Sequence, residues 1–78
     1  MLAWFMARVD HDLPRALAAS QASLREDPTV APYRDTLAEI LYRMGERRKA
    51  VEEERLAIAL RPKHRAYYEK QLRRFESD

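Results

Sequence analysis

Apolar residues recur three and four positions apart along the chain, in stretches separated by prolines, one glycine and short polar clusters. That spacing puts them on one side of successive amphipathic helices. The first stretch, residues 1–9, ends at the Asp10-His11-Asp12 cluster. Asp12 is placed to cap a second helix, with Pro14 in its first turn, where a missing N–H leaves no bond unmade. Ala16, Leu17, Ser20, Ser23 and Leu24 share one side of this helix, and Pro28 bounds it. Thr29 is the expected cap of a third helix, which tolerates Pro32 in its first turn and carries Tyr33, Leu37, Ile40, Leu41 and Met44 as its stripe. Gly45 follows directly, and glycine ends a helix in the left-handed conformation without steric cost. A fourth helix, residues 47–60, shows Ala50, Val51, Leu56, Ala57 and Leu60 before Pro62 closes it. A last helix, residues 64–76, carries Tyr67, Tyr68, Leu72 and Phe75. Such short connections make neighbouring helices antiparallel.

Composition supports the same class. Ala, Leu, Arg and Glu dominate, all good helix formers, and no strand-favouring residues alternate over any length. A chain of 78 residues forms one domain with a modest core. The absence of Cys excludes a disulfide framework and a thiolate zinc site. Charge is nearly balanced, 15 basic residues against 13 acidic. Glu39 with Arg43, Lys49 with Glu53, and Glu69 with Arg73 are spaced for intrahelical pairs, so most of the charge reads as a solvated face. The apolar opening, residues 1–7, is far short of a membrane span and lacks a basic leader and a cleavage site. The expectation is a soluble, cytoplasmic protein that does not associate with a membrane.

The hairpins also resemble each other. Ala16-Leu17 and Ala50-Val51, Ser23-Leu24 and Ala57-Ile58, and Pro28 and Pro62 each lie 34 residues apart, the period of a two-helix repeat. Residues 31–62 resemble a tetratricopeptide repeat: Leu37-Ala38, Leu41, Gly45, Ala50, Ala57 and Pro62 fall in the family's order. Small residues at Ala38, Ala50 and Ala57 let the two helices approach, Leu37 and Leu41 fill the space between repeats, Gly45 turns the chain and Pro62 stops it. Two positions depart from the pattern, with Arg34 and Glu54 standing where the family favours aromatics. Leu2-Ala3 and Met6 echo Leu37-Ala38 and Leu41 at an offset one residue longer, and Tyr68 and Leu72 echo Tyr33 and Leu37.

The resemblance implies an all-α fold, antiparallel helical hairpins stacked as a short right-handed solenoid, here a single domain. Residues 1–28 would be a shortened first repeat, 29–62 a full repeat and 63–78 a capping helix. Such stacks usually need about three units. Met1, Leu2, Trp4, Phe5 and Met6 therefore predict self-association, as a homodimer, or a place in a larger array.

The family binds protein or peptide partners in a concave groove lined by the first helix of each hairpin. Carried onto this sequence, the groove positions are Pro32, Asp35, Glu39, Tyr42 and Arg43, with Trp4 and Arg8 from the first repeat. Some members grip a C-terminal carboxylate there with Lys and Asn; Asp35 and Glu39 would repel one. The pattern suits a basic or hydroxyl-bearing group near Asp35 and Glu39 and an apolar group near Trp4 and Tyr42. A bland reading stands beside this, with Trp4 as packing and the two acids as solvated charge. A second reading is nucleic acid or another acidic partner on the basic strip of Arg61, Lys63, Arg65, Lys70, Arg73 and Arg74, interleaved with Tyr67 and Tyr68. No motif that reads nucleic acid accompanies it, so a protein partner takes precedence. An enzyme is not expected. His11 and His64 fall in turns, Ser20 and Ser23 on a packing side and Ser77 near the end, so nothing joins a nucleophile to a base and an acid. The sequence offers no catalytic residue, metal site or cofactor motif.

Overall fold

The computed structural model describes residues 12–77, which form four helices: α1 (Leu13–Glu26), α2 (Ala31–Arg43), α3 (Arg47–Ala59) and α4 (Arg65–Glu76). There is no strand among the described residues. The chain is all-α, with these helices where the apolar spacing predicts them. The helix expected over residues 1–9 lies outside the described residues, and with it Met1, Leu2, Trp4, Phe5, Met6 and Arg8. None of the helices described is long and apolar enough to cross a membrane.

The helix ends show which local rules operate. Asp12 does occupy the N-cap position of α1, but its side chain makes no cap hydrogen bond. Thr29 does not cap α2; Val30 does, with extended backbone. The Thr29 N–H and hydroxyl instead donate to Asp27 Oδ1, at 3.0 and 2.6 Å, closing a tight turn around Pro28. The Thr29 hydroxyl is the larger cause, ahead of its N–H, of the Asp27 carboxyl lying below the ordinary range. Pro14 and Pro32 sit in first turns, as expected.

At the end of α2 the Gly45 N–H donates to the Tyr42 carbonyl at 3.0 Å and the Glu46 N–H to the Leu41 carbonyl at 2.8 Å. This is a Schellman closure, and it requires the left-handed Gly45, whose φ is +86°. After α3 the left-handed residue is Arg61, with φ 56°. Pro62 follows it and has no N–H to complete the same closure, so this turn is held less well.

Consecutive helices pack on one another, α2 and α3 most extensively. Ala38, Ala50 and Ala57 are fully buried, so the small residues stand where backbones come close. One cluster joins Leu37, Ala38, Leu41, Ala50 and Phe75, with Leu17 and Leu24 of α1 against it. A second packs Ala16 on Ile40, and a third packs Ala31, Ala57 and Tyr68. Phe75 is fully buried, so α4 supplies part of the core. The two hairpins also share an anomaly. Ser20 and Glu54 stand 34 residues apart; both are buried, and neither side chain has a hydrogen-bond partner.

The two left-handed positions should respond oppositely to substitution. At Gly45 nothing would touch an added Cβ, so Gly45→Ala tests backbone conformation alone and should cost about 1 kcal/mol. Arg61→Gly relieves the same strain and should gain up to about 1 kcal/mol. Urea denaturation of both variants measures this, and equal effects of the same sign would contradict it.

Candidate functional site on α2 and α4

Asp35, Glu39 and Tyr42 follow one another at helical spacing on α2, and Tyr67, Gln71 and Arg74 do so on α4. These two stripes face each other. The Tyr67 hydroxyl donates to Asp35 Oδ2 at 2.9 Å. Arg74 grips Glu39 with both terminal nitrogens, at 2.8 Å to Oε1 and 2.9 Å to Oε2, and Gln71 reaches the same carboxylate at 3.4 Å. Phe75 packs against Tyr42 with ring centroids 4.9 Å apart, and the Arg74 guanidinium lies 5.1 Å above the Tyr42 ring. The pairs advance in the same direction along both helices, so α2 and α4 run parallel.

This arrangement corrects the reading of Asp35. It was expected to face a partner, yet it is 7% exposed and its outer oxygen belongs to Tyr67. Glu39 is also committed: its side chain is 12% exposed and bonded by Arg43 as well as Arg74. The expected ligand chemistry, a hydroxyl at Asp35, a cation at Glu39 and an apolar group at Tyr42, is supplied by the chain's own α4. Tyr42 and Arg43 lie on the same face, Tyr42 half-buried and Arg43 at its rim. Trp4 and Arg8 lie outside the described residues.

The electrostatics follow from these contacts. Burial pushes the Glu39 carboxyl up, but hydrogen bonds from Arg74 and Arg43 outweigh it and hold the carboxyl below the ordinary range. The partner effect raises Arg74, chiefly through its hydrogen bond to Glu39. Beneath this surface lies Glu54 of α3, fully buried, with no cation beside it. Its pKa is pushed up to about 9, first by burial, then by the hydrogen bond and charge of Asp35, then by the charge of Glu39. Burial, followed by the charge of Asp35, also raises the Tyr67 and Tyr68 hydroxyls above the usual phenol range. In sequence, Glu54 stood out only as a break in the family pattern; its meeting with Asp35 and Tyr67 needs the tertiary packing. Arg34, the other break, pairs with Glu53 across α2 and α3 at 2.9 Å.

That pair overturns the expected Lys49–Glu53 partnership, because the inter-helix guanidinium is the one that reaches Glu53. Glu69 likewise pairs backwards with Arg65 rather than forwards with Arg73. Glu39–Arg43 forms as expected, at 2.8 Å. Of the predicted basic strip, Arg65 and Arg74 are engaged in ion pairs, while Arg61, Lys63, Lys70 and Arg73 are exposed and make no ion pair among the described residues. A further groove of about 370 Å³ lies between α1, α2 and α3, floored by Leu17, Leu37, Leu41 and Met44 and rimmed by Glu46 and Glu52. No group of three or more His, Asp or Glu side chains is placed to hold a metal among the described residues.

No family model, curated protein or solved structure matches the chain.

The two polar links between α2 and α4 should differ in worth. Tyr67→Phe leaves a buried carboxylate oxygen of Asp35 without its donor and should cost about 1–2 kcal/mol. Arg74→Ala removes a pair whose guanidinium is 44% exposed, so screening should limit its loss to about 0.5–1 kcal/mol. Thermal denaturation at low and high salt separates them, with the Arg74 effect shrinking as salt rises.

Proposed function

We propose that the chain is a short tetratricopeptide-type module that binds a protein or peptide partner and performs no chemistry of its own. The observation that carries this reading is the parallel alignment of α2 and α4, which makes one continuous face from two helices with α3 packed on both. The buried alanines, the left-handed Gly45 and the break at Pro62 support it, each standing where the resemblance requires. With Asp35 covered, the binding face is centred on Glu39, Tyr42 and Arg43 of α2 and on Gln71 and Arg74 of α4. Its charges are already mutually compensated, which suits a mixed polar and aromatic peptide rather than a strongly charged one. The apolar stretch at Met1, Leu2, Trp4, Phe5 and Met6 would join a second copy or a neighbouring repeat.

A second reading has one observation in its favour: Arg61, Lys63, Lys70 and Arg73 present exposed positive charge near α4. That surface suits a nucleic acid or another acidic partner, whose affinity would fall steeply with salt.

One experiment separates the readings. Peptides selected from a displayed library on the intact chain are titrated into isotope-labelled protein. The amide shifts should concentrate at Glu39, Tyr42, Arg43, Gln71 and Arg74 and leave Arg48, Glu52 and Leu56 of α3 unmoved. Arg43→Glu should weaken the selected peptide by about tenfold, roughly the worth of one charge-assisted contact. Shifts confined to Lys63, Lys70 and Arg73, together with retardation of a labelled oligonucleotide at low salt, would favour the second reading. Selection of no peptide above background would remove the first.

A further inference from the structure

Glu54 lies on the third helix at a point covered by both neighbours. It is fully buried, and neither carboxyl oxygen has a partner among the donors of the fold. The inner oxygen of Asp35, Oδ1, is also buried without a donor. The groups facing Glu54 are Asp35 and Glu39 from α2 and Tyr67 and Tyr68 from α4. The nearby cations are spent elsewhere, Arg74 on Glu39 and Arg34 on Glu53. Two carboxyls and no cation in a water-excluded space leave one economical arrangement, a proton held between them. A protonated Glu54 donates to Asp35 Oδ1, while Tyr67 donates to Oδ2 from the other side.

We propose that Glu54 and Asp35, roofed by Tyr67, form a proton-dependent clasp that holds α4 against α2 and α3 and loosens when the shared proton is lost. The clasp goes beyond partner binding and stands on packing alone, whatever the α2–α4 face binds. Loss of the proton puts a second negative charge beside Asp35 and Glu39, with no cation to answer it. Water can reach Glu54 once α4 lifts, because Tyr67 and Tyr68 are what cover the site from that side.

The direction of the pH effect follows from the carboxyl's two environments. With α4 released, Glu54 titrates in the ordinary range near 4.5; with α4 docked, it keeps its proton up to about 9. Docking is therefore strongest below pH 4.5 and weakens as pH rises through that window, by about tenfold in its equilibrium constant per pH unit at most. Above it the dependence is flat.

The test uses the intact chain and two readouts. Carboxyl carbon NMR follows the titration of Glu54 directly, and amide hydrogen exchange, corrected for intrinsic rate, follows α4 against α1 from pH 5.5 to 9. Glu54 should titrate well above the ordinary range, and protection of α4 should fall with pH more steeply than that of α1. Glu54→Gln keeps the donor and removes the titration, so its α4 protection should be flat with pH and exceed wild type in the alkaline half. Asp35→Asn should move the Glu54 midpoint down without restoring the ordinary value, because burial remains. A wild-type Glu54 midpoint near 4.5 would overturn the clasp even if no variant folded. An unchanged α4 profile in Glu54→Gln would overturn it as well.

Discussion

The fold depends on how α4 is held, because α4 must lie over a surface that carries carboxyls. Phe75 and Tyr68 provide the apolar part of that contact, and both are buried. They do so beside Asp35, Glu39 and Glu54, three acids gathered by two helices. Removing such groups from water is tolerable only if each obtains a donor, a cation or a proton. Glu39 obtains two guanidinium groups, Asp35 a phenol, and Glu54 nothing but its neighbouring acid. The graded solution follows depth. Arginine can reach the rim, where its own head stays in water, while the fully buried position has room for neither a long side chain nor its hydration.

The same constraint explains why α4 is part of the core rather than a polar lid. Its cation and hydroxyl are aimed inward at helical spacing, so a single face of the helix both fills the hydrophobic gap and answers the acids of α2. Gly45 and Arg61 set the two turns that bring this face round. The first turn is closed by a pair of carbonyl bonds, and the second is interrupted by Pro62. The more weakly closed turn is thus the one from which α4 hangs, and its side-chain contacts carry correspondingly more of its attachment.

Much of the fold was legible in the sequence. Helix positions follow from apolar spacing, and the end of α2 from a single glycine, because both rules act within a few residues. Thr29 misled because Asp27 competes for it at still shorter range, which cap preference alone does not weigh. The ion pairs Lys49–Glu53 and Glu69–Arg73 were equally reasonable by spacing. They lost to Arg34 and Arg65, one of them on another helix. The candidate face was legible in its chemistry but not in its occupant. A hydroxyl, a cation and an aromatic were all expected opposite Asp35, Glu39 and Tyr42. That these would come from Tyr67, Arg74 and Phe75 depends on the parallel register of two helices about 32 to 35 residues apart, which no local pattern encodes.

Glu54 marks where repeat and chemistry part. Its counterpart in the first hairpin is Ser20, so both units place a polar side chain at a position the packing closes off. A buried hydroxyl is a mild burden that a water or a rotated bond can relieve. A buried carboxyl is not, and it makes the attachment of α4 sensitive to the state of one proton. The two hairpins share their spacing, their buried alanines and their closing prolines, yet only the second couples its packing to titration. A hydrocarbon at position 54 would pack the same gap without that coupling. The acid therefore weakens the fold at neutral and higher pH, and what it confers in exchange is a helix whose hold on the domain answers to its surroundings.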